Sequence, residues 1–287
     1  MTDSEFTLEE PTLTRQDVLE LEDPRFHPET VAIVTGAASG IGQATAVALA
    51  TNGLTVVGAD IDGEGLEETA ATVESFDAPG AVLPVETDLT DDDAVASMVE
   101  AAAERGELRY VANIAGFQHI DSLANFPMDK YDLMLDLMLR APFLVSKLAM
   151  EHVRETDDGV GAIANMSSVH GHYATRDKPA YITAKHGIHG LTKAIAAEGK
   201  GRIRGFSVSV GYVLTPLMVD QIADTARERG ITQQEVVEKV MLGEARSQEL
   251  LTPLEVANLF TFGFSRHGTH LNGGDLCWDG GYTTTYE

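Results

Sequence analysis

Three residues with redox-compatible chemistry stand close together in the stretch SVHGHYATRDKPAYITAKHG: Ser168, Tyr181 and Lys185. The apolar strand expected to end near Met166 gives way to a loop over residues 167–179, and a helix is expected from about Ala180. On that helix Tyr181 and Lys185 lie one turn apart on the same face. A tyrosine hydroxyl titrates near about pH 10, so it needs a fixed cation beside it to act as a base at neutrality. Lys185 is placed to supply that charge and lower the tyrosine pKa. Ser168, at the strand-to-loop edge, is placed to hydrogen-bond a substrate oxygen while Tyr181 exchanges its proton. Such a set moves a proton at a hydroxyl or carbonyl. A lone YxxxK pair is common in ordinary helices, so the reading depends on what surrounds it.

The surroundings build a nucleotide seat. Val31 to Thr35 reads as a short buried strand, followed by Gly36-Ala-Ala-Ser39-Gly40-Ile41-Gly42 and a helix of good formers over 43–51. Glycines at 36, 40 and 42 allow a tight turn and close approach to a pyrophosphate, which the free amides of the helix start hold. The second strand, Leu54 to Ala59, ends in Asp60. A carboxylate there takes the ribose hydroxyls of an adenosine and repels a 2′-phosphate. No Lys or Arg occurs in 36–42 or 60–65 to offset it, so NAD is expected over NADP. A loop-start aspartate in an acidic chain is the plain alternative. Helices over 64–74 and 91–105 alternate with strands over 81–86 and 109–113. This alternation predicts an α/β fold, a single Rossmann-like, doubly wound parallel sheet with helices on both faces and ligands at the carboxyl ends of its strands. Asp88-Leu89 and Asn113-Ile-Ala115-Gly116 fall at two such ends; adenine and the cofactor cleft are their expected contacts, a helix cap or a turn the alternative.

Composition narrows the classes. The 287 residues carry 20 Lys and Arg against 45 Asp and Glu, a net charge of −25, which argues against binding a nucleic-acid backbone. Only seven of the cations are lysines, and so acidic a chain fits a salt-rich, halophilic cytoplasm, where salt screens its self-repulsion. The alternative is a merely acidic mesophilic protein. With 44% hydrophobic residues and no apolar run long enough for a bilayer, a soluble protein is expected. The single cysteine, Cys277, excludes an internal disulfide framework, and ligand spacing gives no support for a metal. Residues 1–29 lack the basic and apolar regions of a secretory leader and read as an acidic extension, mobile or draped on a neighbour. Residues 30–287 read as one domain, with one or two lid helices within about residues 213–245.

TGAASGIG, the Asp60 strand end, NIAG, the Ser168/Tyr181/Lys185 set and the terminal GGDLCWDGGY together resemble the short-chain dehydrogenase/reductase family over about residues 30–285. Within it, FQHI, SVHG, KPAYITAKHG and GYVLTPLMVDQI are similar to the NAD-dependent D-3-hydroxybutyrate dehydrogenases. The resemblance implies a hydride passed between a short 3-hydroxy acid and NAD, a homotetramer, and cofactor contacts that extend to Val213 and Thr215. It implies that Gln118, His170, Lys178 and Gln221 hold the substrate carboxylate, with Tyr212 and Leu217 along its aliphatic part. The residue types agree: an anion approaching a chain this acidic needs a local cation, which Lys178 supplies, and directional donors, which the other three supply. The rivals are a dehydrogenase of a neutral alcohol or sugar, a 3-oxoacyl reductase, and a catalytically weak nucleotide-binding scaffold.

Three stretches depart from the family pattern. Met138 in LMLRAPF stands where many relatives have an asparagine that supports a proton relay through the lysine. Phe206 and Val210 in RIRGFSVSVGYVLTP replace the common Asn and Pro. The segment between Glu198 and Arg202 is short.

Overall fold

The computed structural model describes residues 11–243 and 245–284, except the side chain of residue 220. The first ten residues of the acidic extension lie outside the described residues. Seven parallel strands form one sheet in the order β3-β2-β1-β4-β5-β6-β7: β1 Thr30–Thr35, β2 Thr55–Asp60, β3 Ala81–Glu86, β4 Glu107–Asn113, β5 Gly161–Met166, β6 Ile203–Val210 and β7 Asp275–Trp278. Every residue of β1, β5 and β6 is buried, as expected of central strands covered on both faces. The chain winds outward from β1 to β3, then returns to place β4 on the other side of β1. That reversal opens a crevice at the carboxyl ends of β1 and β4.

The helices that position the site follow from local chemistry. α1, Gly40–Thr51, begins at the glycine turn, and α2, Gly63–Ser75, is capped by the Asp62 carboxylate, which accepts from the Gly65 amide. Asp91 caps α3, Asp92–Ala103, in the same way. α4, Met128–Leu135, runs through a widened turn at Asp136–Arg140 into α5, Ala141–Glu155. Pro142 accounts for the widening: it has no N–H for the Met138 carbonyl one turn earlier, and Ala141 instead donates to Asp136. α6, Pro179–Glu198, starts one residue ahead of the expected boundary, with its proline at the first helical position, where the missing N–H costs nothing.

Beyond β6, Thr215 caps α7, Pro216–Arg229, which ends at Gly230 in the left-handed conformation. Thr232 forms a capping box with Glu235 on the short α8, Gln233–Glu235, which continues as a wide turn over Val236–Met241. Met218, Ile222, Val236, Val237 and Met241 pack into a separate small core beneath this segment. Thr252 caps α9, Pro253–Phe264: its hydroxyl accepts from the Glu255 amide, and the Glu255 carboxylate accepts from the Thr252 amide in return.

The described part of the extension, residues 11–29, lies on the chain's own domain rather than free of it. Val18 is buried against Ala44, Ala48, Leu254 and Ala257. Asn258 accepts from the Leu19 amide and donates to the Asp17 carbonyl, Asn52 does the same with the Leu21 amide and the Leu19 carbonyl, and Arg15 donates to the Phe76 carbonyl. The acidic composition hid a few apolar residues and open backbone groups that find partners between α1 and α9.

Candidate active site

Along the carboxyl ends of the strands runs a cleft of ≈ 560 Å³. At one end the glycine turn is built for close approach. Gly36 and Gly40 have φ of 72° and 54°, and a Cβ on Gly42 would collide with the Gly36 carbonyl. Ser39, Gly40, Ile41 and Gly42 line the cleft there, so the first amides of α1 face it. Asp60 ends β2 beside this turn, its carboxylate accepting from the amides of Ala38 and Asp62. Asp88 and Leu89 form the neighbouring wall. Hydrogen bonds from the Thr90 side chain and amide hold the Asp88 carboxyl below its usual range. A cradle that side chains would fill, amides at a helix start and a carboxylate at the strand end together fit an adenine dinucleotide.

Ala115 and Gly116 line the middle of the cleft, but the side chain of Asn113 does not. Asn113 turns behind the sheet, donating to Asn165 at 2.9 Å and to Ser146 at 3.4 Å, because its neighbour across the ladder is itself polar and buried. What fixes the loop is a residue that the motif reading passed over. Thr35, at the end of β1, accepts from the amides of Ile114 and Ala115 at 2.9 and 3.2 Å. A hydroxyl-bearing residue just before the glycine turn was the available signal. Thr215, the cap of α7, reaches back so that a Cβ on Gly40 would sit 3.3 Å from its methyl, and Val213 bridges to Leu251.

Ser168, Tyr181 and Lys185 meet at the centre of the cleft. Lys185 is 4% exposed, and its ammonium donates to the Met166 carbonyl at 2.8 Å and lies 5.4 Å from the centre of the Tyr181 ring. Burial pushes its pKa down to about 8. Burial also raises the Tyr181 phenol, and a hydrogen bond with Ser168 works in the opposite direction. The expected lowering of Tyr181 by Lys185 is therefore not found. An ammonium that loses its charge near about pH 8 is already neutral where a raised phenol ionises.

The substrate end gathers Gln118, His170, Lys178, Tyr212, Leu217 and Gln221 around one space. Lys178 is half-buried at the start of α6 and lies over the Tyr212 ring at 5.7 Å from its centre. No described carboxylate pairs with it; desolvation first, then the charge of Arg229, lower its pKa to about 8. The Gln118 amide nitrogen is buried without a hydrogen-bond partner. An unpaired ammonium and an unpaired amide in one pocket form a seat for an anion. His170 is tied differently from the expectation: its Nδ1 meets the Ser168 hydroxyl at 3.4 Å and its Nε2 the Thr175 hydroxyl at 3.0 Å. Burial, then the nearby Lys178 charge, lower its pKa to about 3, so it is neutral at physiological pH. Both ring nitrogens are thus engaged, so it can reach a substrate only by releasing Thr175 or Ser168.

Met138 also lines this cleft. Buried with Met134, Ala180 and Ala184 beneath the helix that carries Tyr181, it lies close under Gly116, where a Cβ would come within 3.1 Å of its sulfur. Phe206 fills the core against Phe264, and Val210 closes the cleft wall at the end of β6. Both departures from the family pattern have packing roles.

A family model described as enoyl-(acyl carrier protein) reductase matches residues 36–283. The chain belongs to the short-chain dehydrogenase/reductase family. Among the curated relatives of this dehydrogenase, the D-beta-hydroxybutyrate dehydrogenase of Rhizobium meliloti is 35% identical over 257 residues, 88% of this chain and 98% of the relative. The cis-4-hydroxycyclohexanecarboxylate dehydrogenase of Sinomonas cyclohexanicum is 35% identical over 258 residues, 89% of this chain and 97% of the relative. The crystal structure of levodione reductase superimposes with a TM-score of 0.83 at 28% identity, covering 91% of this chain and all of that one. The doubly wound sheet is thus the family's fold, and the oxidoreductase class follows. No helix among the described residues is long and apolar enough to cross a membrane.

Proposed function

We propose that this dehydrogenase oxidises a short 3-hydroxy acid, D-3-hydroxybutyrate, to its 3-oxo acid with NAD, and that it runs the reverse reduction. The carrying observation is Lys178, a half-buried ammonium with no described carboxylate partner, in the same pocket as the unpaired Gln118 amide. A neutral substrate leaves both without partners, whereas a carboxylate satisfies both. Gln221 reaches the pocket from α7, and Tyr212 and Leu217 give the carbon chain an apolar wall. The two curated relatives, each named for a hydroxy acid, support the same class.

NAD is the cofactor that suits the seat, because Asp60 stands where a 2′-phosphate would lie and the nucleotide end of the cleft has no lining cation. Bound nicotinamide supplies the hydride acceptor. Tyr181 takes the substrate's hydroxyl proton, Ser168 holds the oxygen in place, and Lys185 holds the ribose of the nucleotide. α7 and the wide turn after it close over the pocket and exclude water.

The proposal extends to a homotetramer in a salt-rich cytoplasm. The edge strand β7 presents Trp278, and α5 presents Phe143, at 54% and 59% exposure, as faces suited to a second copy. The net charge of −25 and a single free cysteine fit a reducing, salt-rich interior. Initial rates of nucleotide reduction with D-3-hydroxybutyrate in molar KCl, with NAD and NADP compared, test the reading. Turnover confined to neutral secondary alcohols or sugars would replace it by the rival enzyme class, and dinucleotide binding without turnover would replace it by a scaffold.

A further inference from the structure

The edge strand β7 sets two ligand-bearing side chains on one face of the sheet. Asp275 and Cys277 are two residues apart and point the same way, while Leu276 and Trp278 take the opposite face. Beside them in register on β6 stand Ser207, next to Asp275, and Ser209, next to Cys277. Both serine hydroxyls donate to Asp275 Oδ1, at 2.6 and 3.0 Å, which leaves Oδ2 for a partner outside the sheet. That partner is His172, from the loop that follows Ser168: its Nε2 lies 2.9 Å from Oδ2. The Cys277 sulfur completes the group, and the ligand atoms of His172, Asp275 and Cys277 all lie within 4.8 Å of one another. Residues so far apart in the chain meet only through the fold, which is why their spacing gave no sign of a metal.

We propose that His172, Asp275 and Cys277 bind a zinc ion, with water as the fourth ligand, and that the ion ties the loop carrying Ser168 to the sheet edge. The inference is independent of which alcohol the enzyme oxidises. One nitrogen, one oxygen and one sulfur suit a borderline-soft, four-coordinate cation; magnesium and calcium take oxygen ligands. Bonds of about 2.0–2.3 Å to zinc place tetrahedral ligand atoms about 3.3–3.7 Å apart. The nitrogen and oxygen therefore part slightly and the sulfur draws in, and His172 and Cys277 are exposed and have room to turn. Asp275 is held from behind by the two serine hydroxyls, the outer support that orients a metal-binding carboxylate. On binding, the Cys277 S–H bond breaks and its proton passes to the buffer, while the imidazole stays neutral with its proton on Nδ1. The two positive charges of the ion are then matched by one carboxylate and one thiolate, and nothing is oxidised or reduced. The amides of Gly171, His172 and Tyr173 donate to the carbonyls of Ser168 and Val169, so fixing His172 fixes the turn that presents Ser168 to the cleft. The plain alternative is a bare His172–Asp275 contact with the cysteine there by chance.

Titration of the full chain, stripped by a chelator, with cobalt(II) as a spectroscopic stand-in for zinc tests the site. The titration is run in molar KCl, where salt screens loose binding of cations to the acidic surface. One cobalt per chain is expected, with the intense visible bands of four-coordinate cobalt and a thiolate-to-cobalt charge-transfer band in the near ultraviolet. Added zinc is expected to erase both, since it binds such a set more tightly than cobalt. Cys277→Ser is expected to abolish the charge-transfer band and weaken binding about 100-fold, and His172→Gln to weaken it by a similar factor. Both side chains are exposed, so the stripped variants are expected to melt within a few degrees of the stripped wild type. A second measurement reads the tie: hydrogen exchange at the amides of residues 171–173 is expected to slow about tenfold with zinc in the wild type and to be unchanged in Cys277→Ser. Cobalt that stays six-coordinate, lacks the thiolate band, or binds Cys277→Ser as tightly as the wild type overturns the site. Amide exchange that ignores zinc in the wild type overturns the tie between loop and sheet.

Discussion

Replacing Lys178 by methionine keeps the apolar stem that lies over Tyr212 and removes only the charge. With its pKa pushed down to about 8, Lys178 is about nine-tenths protonated near neutral pH. An ammonium about 4 Å from a carboxylate gains about 4 kcal/mol at an effective dielectric of about 20, and desolvation of the pair takes part of it back. About 3 kcal/mol remains, which corresponds to about 100-fold in affinity. The carboxylate is held equally before and during hydride transfer, so the loss belongs in KM, with kcat changed little. Steady-state kinetics with D-3-hydroxybutyrate and with an uncharged secondary alcohol of similar size separate the effects. Lys178→Met is expected to raise KM for the acid about 100-fold and to leave the alcohol within about threefold. In the wild type KM for the acid rises as pH passes about 8, because deprotonation removes the charge; in the variant it is flat. A KM for the acid that moves less than about threefold, or an alcohol that suffers equally, would refute the reasoning.

Other perturbations read other parts of the molecule. Asp60→Ala removes the carboxylate at the end of β2 and is expected to shift the kcat/KM ratio toward NADP by about tenfold or more, measured with both nucleotides. Gly42→Ala drives a methyl into the Gly36 carbonyl and is expected to cost about 1–3 kcal/mol of stability and most NAD affinity, read by thermal melting and calorimetric titration. Asn258→Ala cuts two hydrogen bonds to the N-terminal segment and is expected to cost about 1–2 kcal/mol, with faster protease cleavage before β1. His170 titrates at about 3 when folded against 6.5 when exposed, so the unfolded chain binds more protons in between. Its contribution is complete above about pH 6.5 and is lost as pH falls, by about 2 kcal/mol at about pH 5; His170→Gln is expected to flatten that part of a denaturation-versus-pH series.

The sheet was legible because buried parallel strands are short apolar runs that alternate with stretches of helix-forming residues. The glycine turn was legible because the positive φ of Gly36 and Gly40 and the collision of a Gly42 side chain with the Gly36 carbonyl arise within the motif itself. Contacts between distant segments were not. Nothing local says that Asn113 faces Asn165 and not the cleft, or that residues 11–29 lie between α1 and α9. The widened turn before α5 was within reach, since Pro142 announces a missing donor, but its consequence for Met138 depends on packing across to α6.

Burial accounts for the largest gap between motif and site. Ser168, Tyr181 and Lys185 were identified by type and spacing, and their expected charges were those of groups in water. In the cleft desolvation is the first cause acting on Tyr181, Lys185, Lys178 and His170 alike, and each is driven toward its neutral form. A site of this kind answers strongly to any charge brought into it, because little water is left to screen the interaction. A carboxylate near Lys178 raises that lysine's pKa and keeps it charged, so the anion strengthens its own seat. The net charge of −25 lies mainly on the outside, and the cleft depends on keeping it there. A carboxylate introduced into the lining of the same pocket, as in Gln221→Glu, is expected to compete for the Lys178 ammonium as an internal ion pair and close the pocket to substrate anions. The inhibition constant of acetate, a bare carboxylate, measures that closure directly. It is expected to rise about 100-fold in Gln221→Glu and only a few-fold in Gln221→Ala, because the first fills the seat and the second merely removes one of its donors.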